Sequence, residues 1–281
     1  MKQHRQTHVD LAETTQLILL ANLYGQRASE KLFFQGGTAI RWCYGGSRFS
    51  EDLDFETHLN RDEILDLVDK SVPGVRRDLT ANLGPGKFEL QTKHCREPLC
   101  VIWTKFSPEN IRGKIAVKLE FQRSRSDLTP ETQLLIFGAS PVITERIQSG
   151  RLKTRDNAIL TVETLPEILA GKVRALLERE NYKGRDFWDI WYLGYSRQVK
   201  LHPEILPRKL QMYPFTLRRS KSDILRAVSG DRDSESVIKA ITDDLKRFVP
   251  GRTYAVLEKA GFAPLMDAVR EVLADVPEDI R

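Results

Sequence analysis

The chain has 281 residues and a net charge of +5, and 41% of its residues are hydrophobic and 30% are charged. These proportions are typical of a globular protein and exclude a disordered one, while the charge mildly favours polyanionic partners. No apolar run approaches the roughly 20 residues that span a bilayer, and the first residues are too polar for a secretory signal, so we expect a soluble, cytoplasmic protein without a membrane partner.

The first part of the chain mixes helical and strand patterns. Apolar residues at helical intervals predict an opening helix over residues 12–31, and a short helix follows over residues 38–44. Residues 53–55 read as a strand, and the amphipathic helix after them ends before Pro73. Further strands are predicted over residues 87–91, 100–106 and 113–122. This order predicts an α+β fold whose mixed β-sheet is flanked by helices.

From Thr164 onward the pattern changes to successive helices. Thr164 followed by Glu167 has the spacing of a capping box, which marks a helix start. A second helix follows Gly184, and later helices are predicted over residues 222–228, 234–248 and 254–273. We therefore predict a sheet domain of residues 1–160 and a helical domain of residues 161–281.

Acidic and apolar residues alternate at the strand after Glu51. On a strand, residues two apart point to the same side, so Asp52 and Asp54 present their carboxylates together while Leu53 and Phe55 face the core. Close like charges repel unless a cation neutralises them, and hard oxygen ligands suit Mg²⁺. An isolated pair of this kind is more often a solvated edge strand or turn whose acids cap neighbouring amides.

A pair of glycines, Gly36 and Gly37, precedes the helix predicted from Thr38. Backbone amides at such a helix N-terminus can hold phosphate oxygens with no side chain in the way, although an ordinary tight turn is the alternative. The glycine turn, the short helix and the Asp-x-Asp strand together place an anion site and a cation site in one supersecondary unit. A nucleoside triphosphate with its Mg²⁺ needs both.

Two segments of the chain resemble one known family. They are GGTAIRWCYGGSRFSEDLDF, which starts at Gly36, and ETLPEILAGKVRALLERENYKGRDFWDIWYL, which starts at Glu163. They are similar to signature segments of the AbiEii/AbiGii, or MenT-like, nucleotidyltransferase toxins of the DNA polymerase β-like superfamily. The resemblance implies an enzyme that takes an NTP as substrate, uses Mg²⁺ or Mn²⁺ and releases pyrophosphate. The interval between Gly37 and Asp52 is long for the wider superfamily.

The resemblance also implies roles for individual residues. Asp52 and Asp54 would hold the metal ion. A third carboxylate is expected on a neighbouring strand, where it completes the metal site and helps to deprotonate an attacking hydroxyl, and Glu120 is the candidate. An ion pair between Glu120 and Lys118 on the same face of the strand is the alternative. The phosphates would be contacted by four residues, namely Gly36, Gly37, Thr38 and Ser50.

Lys172 and Asp186 match the downstream motifs of the same family. The resemblance implies that Lys172 neutralises charge on the triphosphate or pyrophosphate, and that Asp186 positions a substrate hydroxyl or a metal-bound water. The residues alone favour a solvated lysine, and a first-turn acid on a helix where Arg185 pairs with Asp189. On the two helices of a hairpin, Lys172 and Asp186 would lie about 10 Å apart along the axis.

The family's substrate class implies that nucleotides are added to the 3′ end of tRNA, or to another RNA acceptor, so that translation is blocked. It also implies a cognate antitoxin protein as a partner. A nucleotidyltransferase acting on a protein or a small molecule and a noncatalytic nucleotide-binding module are the alternatives. Basic residues such as Arg146 and Arg219 could bind an RNA backbone, although a charged solvated surface explains them nearly as well.

The cysteines carry a separate expectation. The chain contains Cys43, Cys95 and Cys100, so any disulfide scheme leaves one of them unpaired. A chain of this length does not need covalent cross-links, and we expect reduced thiols. His94 together with Cys95 and Cys100 resembles metal-site spacing, but a fourth ligand at a suitable interval is missing, and we do not expect zinc there.

Overall fold

The computed structural model describes residues 6–212, 216–231 and 233–277, which form two compact units. The first, which we name the sheet unit, comprises residues 6–45 and 50–163. The second, which we name the helical unit, comprises residues 46–49 and the described residues from Thr164 onward. Their assignment as separate domains with a boundary near residue 160 stays a prediction.

The sheet unit is built around a mixed sheet with the strand order β3-β4-β5-β2-β1-β7-β6. Its strands are β1 (Leu32–Gln35), β2 (Asp52–Thr57), β3 (Gly86–Arg96), β4 (Leu99–Pro108), β5 (Ile115–Arg123), β6 (Thr132–Ile136) and β7 (Ile159–Glu163). Its helices are α1 (Gln6–Leu23), α2 (Gly36–Cys43), α3 (Arg61–Leu83) and α4 (Pro141–Gln148). The sheet is mixed because β2 runs antiparallel to β1 and parallel to β5, which confirms the α+β prediction.

The central strands bury one face as their alternation predicts. Leu53 and Phe55 of β2 are fully buried, and they lie opposite Leu119 and Phe121 of β5. The rings of Phe55 and Phe121 stack with their centroids 5.1 Å apart. Because side chains alternate along a strand, Asp52 and the residues that alternate with the buried ones in β2 and β5 lie on the opposite face of the sheet.

The helical unit consists of short packed helices. Its helices are α5 (Leu165–Glu178), α6 (Gly184–Trp191), α7 (Ile205–Gln211), α8 (Lys221–Val228), α9 (Ser234–Phe248), α10 (Gly251–Lys259) and α11 (Ala263–Ala274). The buried helix α6 packs against α5, α9 and α11, and it continues into a π-helical turn, Tyr192–Ser196. No helix in the described parts of either unit is long and apolar enough to cross a bilayer.

Several helix boundaries differ from the sequence-based predictions. α1 ends at Leu23, shortly before Gly25, and a 3-10 turn follows in place of the predicted helical residues. α3 passes through Pro73, because the buried stripe of the helix continues at Val75 and Leu79 and outweighs the hydrogen bond that proline removes. The helix predicted over residues 254–273 is two helices, α10 and α11, since the backbone is left-handed at the junction between them.

The capping box predicted at the start of α5 is wrong. Thr164 is the N-cap residue, but its side chain makes no capping hydrogen bond. The carboxylate of Glu167 is buried and turned into the unit, where it accepts a hydrogen bond from Nη2 of Arg208 at 2.5 Å and lies 3.5 Å from Nζ of the buried Lys209. A partly exposed arginine and a buried lysine therefore hold the side chain that the cap would have used.

The expectation of reduced thiols is wrong for one pair of cysteines. The register of the β3–β4 hairpin sets Cys95 directly opposite Cys100, with their Cα atoms 3.8 Å apart, and the two form a disulfide. Cys43 is a free thiol. The disulfide uses both of the sulfurs that lie near His94 in the sequence. The spacing in the sequence did not reveal this pair because it depends on where the hairpin turns.

The packing of α6 against α9 generates a stability prediction. A Cβ atom added at Gly184 would lie 2.5 Å from both the carbonyl oxygen of Ala240 and Cα of Ile241, which are backbone atoms that cannot rotate away. We expect Gly184→Ala to lower the free energy of unfolding by about 1–3 kcal/mol in urea denaturation.

Gly171→Ala is the matched control within the same unit. A Cβ atom at Gly171, inside α5, meets only Cε of Lys209 at 3.8 Å. We expect this variant to raise the free energy of unfolding by about 0.5–1 kcal/mol, because alanine is the better helix former. Equal effects of the two substitutions would contradict close α6–α9 packing.

Candidate functional site

The N-terminus of α2 lies against a carboxylate of β2. β1 ends at Gln35, which pairs with Asp54 across the antiparallel strands, and α2 begins at the next residue, Gly36. Gly36 has a φ of +76°, and a Cβ atom there would lie 2.7 Å from Oδ2 of Asp54. Only glycine combines this backbone conformation with so close an approach. The predicted anion site and the predicted cation site are therefore adjacent in the sheet unit.

A second pair of charged residues comes from β5. In the parallel register of β2 and β5, Asp52 lies opposite Lys118 and Asp54 lies opposite Glu120. Residues two apart on a strand share a side, so these four side chains lie on one face of the sheet. The structure thus brings Glu120 beside the two aspartates on a neighbouring strand. Its role as the third carboxylate stays a prediction.

Lys118 lies between carboxylates of both strands. Its Nζ is 3.0 Å from Oδ2 of Asp52 and 2.7 Å from Oε1 of Glu120, and the three side chains are only 22%, 24% and 33% exposed, in the order Lys118, Asp52, Glu120. Burial lowers the pKa of Lys118, but its hydrogen bond to Glu120 and the charge of Asp52 outweigh burial and raise it. The sequence predicted a possible pair with Glu120 but not the contact with Asp52.

The donor atoms of this face fit Mg²⁺. Mg²⁺ prefers oxygen ligands and commonly binds one or two carboxylates together with substrate phosphates. Asp54 provides such a carboxylate beside the N-terminus of α2, and Asp52 lies two residues before it on the same side of β2. Within the residues that the structure describes, no group of three His, Cys, Asp or Glu side chains is arranged to hold a metal ion as it stands. Lys118 occupies the space between Asp52 and Glu120 that a preformed three-carboxylate site would leave open.

The remaining phosphate-site candidates are buried and engaged. Thr38 is fully buried, and its hydroxyl donates a hydrogen bond to the carbonyl oxygen of Asp52. The carbonyl oxygen of the buried Ser50 accepts a hydrogen bond from Nε2 of Gln16 at 2.6 Å. Gly37 is buried in the first turn of α2. These contacts hold α2 and the start of β2 in place, and contact of these residues with phosphates stays a prediction.

In the helical unit, Lys172 of α5 contacts two aspartates of α6. Its Nζ lies 3.2 Å from Oδ1 of Asp186 and 2.8 Å from Oδ2 of Asp189. The charged groups of Lys172 and Asp186 are therefore in direct contact, because the long lysine side chain reaches across to the neighbouring helix. Asp186 also pairs with Arg179.

Arg48 is the residue that the sequence did not point to. It donates from Nε and Nη2 to the two oxygens of Asp189, and both distances are 2.6 Å. Both side chains are almost fully buried. The predicted pair between Arg185 and Asp189 is wrong, since Asp189 is taken by Arg48 and Nε of Arg185 lies 3.7 Å from Oδ2 of Asp244. Two parallel hydrogen bonds from one guanidinium group hold a carboxylate firmly and fix its orientation.

The buried aspartates of α6 are ionised. Burial by itself raises the pKa of each carboxyl group, but neighbouring cations outweigh burial. Arg48 and Lys172 lower the pKa of Asp189 to about 2. Arg179 and Lys172 lower the pKa of Asp186 below its ordinary value. Asp186 is only 2% exposed, so its carboxylate faces protein cations, and the role predicted for it with a substrate hydroxyl stays a prediction.

Two of the basic residues considered for RNA binding have structural partners. Arg146 is buried and pairs with the buried Glu13. Arg219 donates to the carbonyl oxygens of Arg179 and Glu180, and its guanidinium carbon lies 4.1 Å from the ring centroid of Tyr182. Their charges therefore serve the packing of each unit.

Comparisons with known proteins identify relatives of the chain. The family model described as "Nucleotidyl transferase AbiEii toxin, Type IV TA system" matches residues 18–273. Among solved structures, the chain is similar to a candidate nucleotidyltransferase from H. pylori, with a TM-score of 0.54 and 16% identity over 96% of each chain. It is also similar to JHP933 from Helicobacter pylori, with a TM-score of 0.57 and 16% identity over 96% of this chain and 93% of that one. At this identity the structural likenesses show the fold alone, and no curated protein matches the chain.

The contact between Gly36 and Asp54 generates a binding prediction. In Gly36→Ala the added methyl group pushes the carboxylate of Asp54 away from the start of α2. We expect binding of NTP in the presence of Mg²⁺, measured by calorimetry with each of the four NTPs, to weaken by about tenfold or more, as when a group that orients a ligand is lost.

Gly45→Ala is the control for backbone strain. Gly45 has a φ of +73°, but a Cβ atom there meets nothing within 4 Å. Both variants should lose about 1–2 kcal/mol of stability because alanine is strained at such angles. Only Gly36→Ala should lose nucleotide binding, and equal binding by the two variants would contradict the importance of the close approach.

The ion pairs of Asp189 generate a pH prediction. Its folded-state pKa of about 2 lies below the value of about 3.9 expected in the unfolded chain. The pairs with Arg48 and Lys172 therefore stabilise the fold fully above about pH 4, and their contribution is lost as the pH falls toward about 2. We expect Asp189→Asn to lower the free energy of unfolding at pH 7 by about 3–5 kcal/mol, because the buried Arg48 and the mostly buried Lys172 lose a partner.

The measurement is urea unfolding of both proteins between pH 7 and the lowest pH at which they stay folded. The difference between wild type and Asp189→Asn should shrink as the pH falls below about 4. Asp66→Asn is the control, because it removes the exposed ion pair of Asp66 with Lys70, and it should change stability by about 0.5 kcal/mol or less. A pH-independent difference for Asp189→Asn would contradict the assignment.

Proposed function

Because the chain belongs to the AbiEii family of nucleotidyltransferase toxins of type IV toxin–antitoxin systems, we propose that it transfers nucleotides from an NTP to the 3′ end of tRNA and thereby blocks translation. Family membership makes it a nucleotidyltransferase that has an NTP as substrate and an antitoxin as partner. The dependence on Mg²⁺ and the RNA acceptor belong to the proposal. One observation carries it, which is the N-terminus of α2 lying against the carboxylate of Asp54.

Residues of the sheet unit would supply the groups that the proposed reaction needs. Gly36 and Gly37 would leave backbone amides open to phosphate oxygens, and Asp52 and Asp54 would hold Mg²⁺ beside them. Bound there, Mg²⁺ would neutralise charge that builds up on the transferred phosphate and on the leaving pyrophosphate. Glu120, next to Asp54 on β5, would serve as the third carboxylate.

The proposed step is an in-line displacement at the α-phosphate. A hydroxyl oxygen of the RNA acceptor forms a bond to the α-phosphorus of the NTP, the bond from that phosphorus to the bridging oxygen of the β-phosphate breaks, and pyrophosphate leaves with the bonding electrons. The hydroxyl proton passes to a carboxylate, for which Glu120 is the candidate, or to water. Atoms and charge balance without an oxidant or a further substrate.

Lys172 and Asp186 of the helical unit belong to the same proposal through their family motifs. Lys172 would lend its charge to the triphosphate or to pyrophosphate, and Asp186 would position a hydroxyl or a water molecule. Lys172 already shares its ammonium group between Asp186 and Asp189. A contact of Lys172 with a phosphate would therefore replace or weaken one of these ion pairs.

A substitution of Asp52 tests the proposed chemistry. The purified protein is incubated with Mg²⁺, each labelled NTP in turn, and total RNA, and label in tRNA is measured on a denaturing gel. We expect the wild type to label tRNA and Asp52→Asn to reduce labelling by about 100-fold or more, because a carboxylate that holds the metal is lost. Circular dichroism should show that the fold of the variant is retained.

Asp127→Asn is the matched control, since Asp127 is an exposed acid of the same unit that pairs with the nearby Arg125. It should label tRNA at the wild-type rate. Label in a protein or a small molecule would redirect the proposal to a different acceptor. Mg²⁺-dependent NTP binding without pyrophosphate release would make the chain a binding module, and labelling by Asp52→Asn at the wild-type rate would contradict the metal assignment.

A further inference from the structure

A lysine side chain, Lys118, lies among the carboxylates of the candidate site in the sheet unit. Lys118 contacts Asp52 on β2 and Glu120 on its own strand at 3.0 and 2.7 Å, so that one ammonium group joins carboxylates of two strands. Asp54 lies beside Glu120 in the register and shares the same face. Lys118 therefore lies among the carboxylates that are proposed to hold the metal ion.

We propose that Lys118 is an internal counter-ion, which holds the carboxylates together before the metal ion binds and is displaced when the metal ion enters. This inference rests on the proposed function, since it concerns the same metal and triphosphate. It assigns Lys118 a positioning role that the family motifs did not indicate. It also gives a physical reason why Asp52, Asp54 and Glu120 do not form a group arranged to hold a metal ion.

Competition follows from the geometry of the contacts. Mg²⁺ takes oxygen ligands at about 2.0–2.1 Å in an octahedral arrangement, which needs the lone pairs of the carboxylate oxygens. Oδ2 of Asp52 accepts a hydrogen bond from the ammonium group of Lys118. An ammonium group and a divalent cation between the same oxygens also repel each other. Binding of the metal ion therefore costs the ion pairs of Lys118, and the affinity for the free metal ion is reduced accordingly.

The displaced ammonium group has a use in the proposed reaction. A lysine head group sits on a flexible stem of four carbons, and Lys118 is 22% exposed, so it can turn away from Asp52 without unfolding the strand. Phosphate oxygens of an NTP would then accept hydrogen bonds from the displaced ammonium group of Lys118. Metal and triphosphate would then favour each other's binding, because the triphosphate provides new partners for the cation that the metal ion displaces.

The contrast with another strand lysine supports a specific role. Lys87 on β3 pairs with Glu89 on the same strand at 2.7 Å, but Lys87 is 75% exposed. An exposed pair of this kind contributes little, because water and salt screen it. Lys118 instead joins two strands at a partly buried position, where screening is weaker.

Binding of Mn²⁺ to the full chain tests the inference. The dissociation constant for MnCl₂ is measured by electron paramagnetic resonance, first without nucleotide and then with a non-hydrolysable NTP analogue. We expect Lys118→Met to bind Mn²⁺ alone about fivefold to tenfold more tightly than wild type, because the competing ion pairs are gone. The analogue should tighten Mn²⁺ binding strongly in wild type and less in Lys118→Met.

Lys118→Gln serves as a second variant that keeps a polar side chain, and Lys87→Met is the control that should bind Mn²⁺ as wild type does. Without metal, Lys118→Met should melt at a lower temperature than wild type, and Mn²⁺ should raise its melting temperature by more. Mn²⁺ affinities that are unchanged or weaker in both Lys118 variants would overturn this inference alone. If neither wild type nor the Lys118 variants bound Mn²⁺, both the inference and the proposed metal dependence would be overturned.

Discussion

The antiparallel pairing of β1 with β2 is the constraint on which the site of the sheet unit depends. Because Gln35 lies opposite Asp54, the chain turns into α2 directly beside that carboxylate, and only Gly36 fits there. The parallel pairing of β2 with β5 then adds Lys118 and Glu120 to the same face. The same register buries the apolar residues between them, so a slip of one residue would disrupt the core and the site together.

The helical unit holds its charges in a different way. Asp189 is held by two cations, and the almost fully buried side chain of Arg48 satisfies both of its oxygens. Isolated buried charges are costly, so each partner removed would leave another one uncompensated. Lys172 and Asp186 carry the family motif and are at the same time parts of this network. The roles proposed for Lys172 and Asp186 in the reaction therefore depend on the same contacts as their structural role.

The sequence was most informative where a local pattern decides the structure. Alternation predicted the strand of Asp52 and Asp54, and glycine chemistry predicted the turn into α2, because both depend on neighbours in the chain. Pairings between distant segments were not predictable in this way. The contact of Lys118 with Asp52 depends on the register between β2 and β5. Arg48 and Asp189 are separated by 141 positions in the sequence. The sequence analysis also missed the short elements β6, β7, α4 and α7.

The most direct measurement of the central claim is a crystal structure of the protein with Mn²⁺ and a non-hydrolysable NTP analogue, in which the anomalous signal locates the metal ion. The structure described here predicts a Mn²⁺ peak in contact with carboxylate oxygens of Asp52 and Asp54, with phosphate oxygens of the analogue at the backbone amides of Gly36 and Gly37. A metal ion bound away from β2, or a triphosphate bound away from the start of α2, would contradict it.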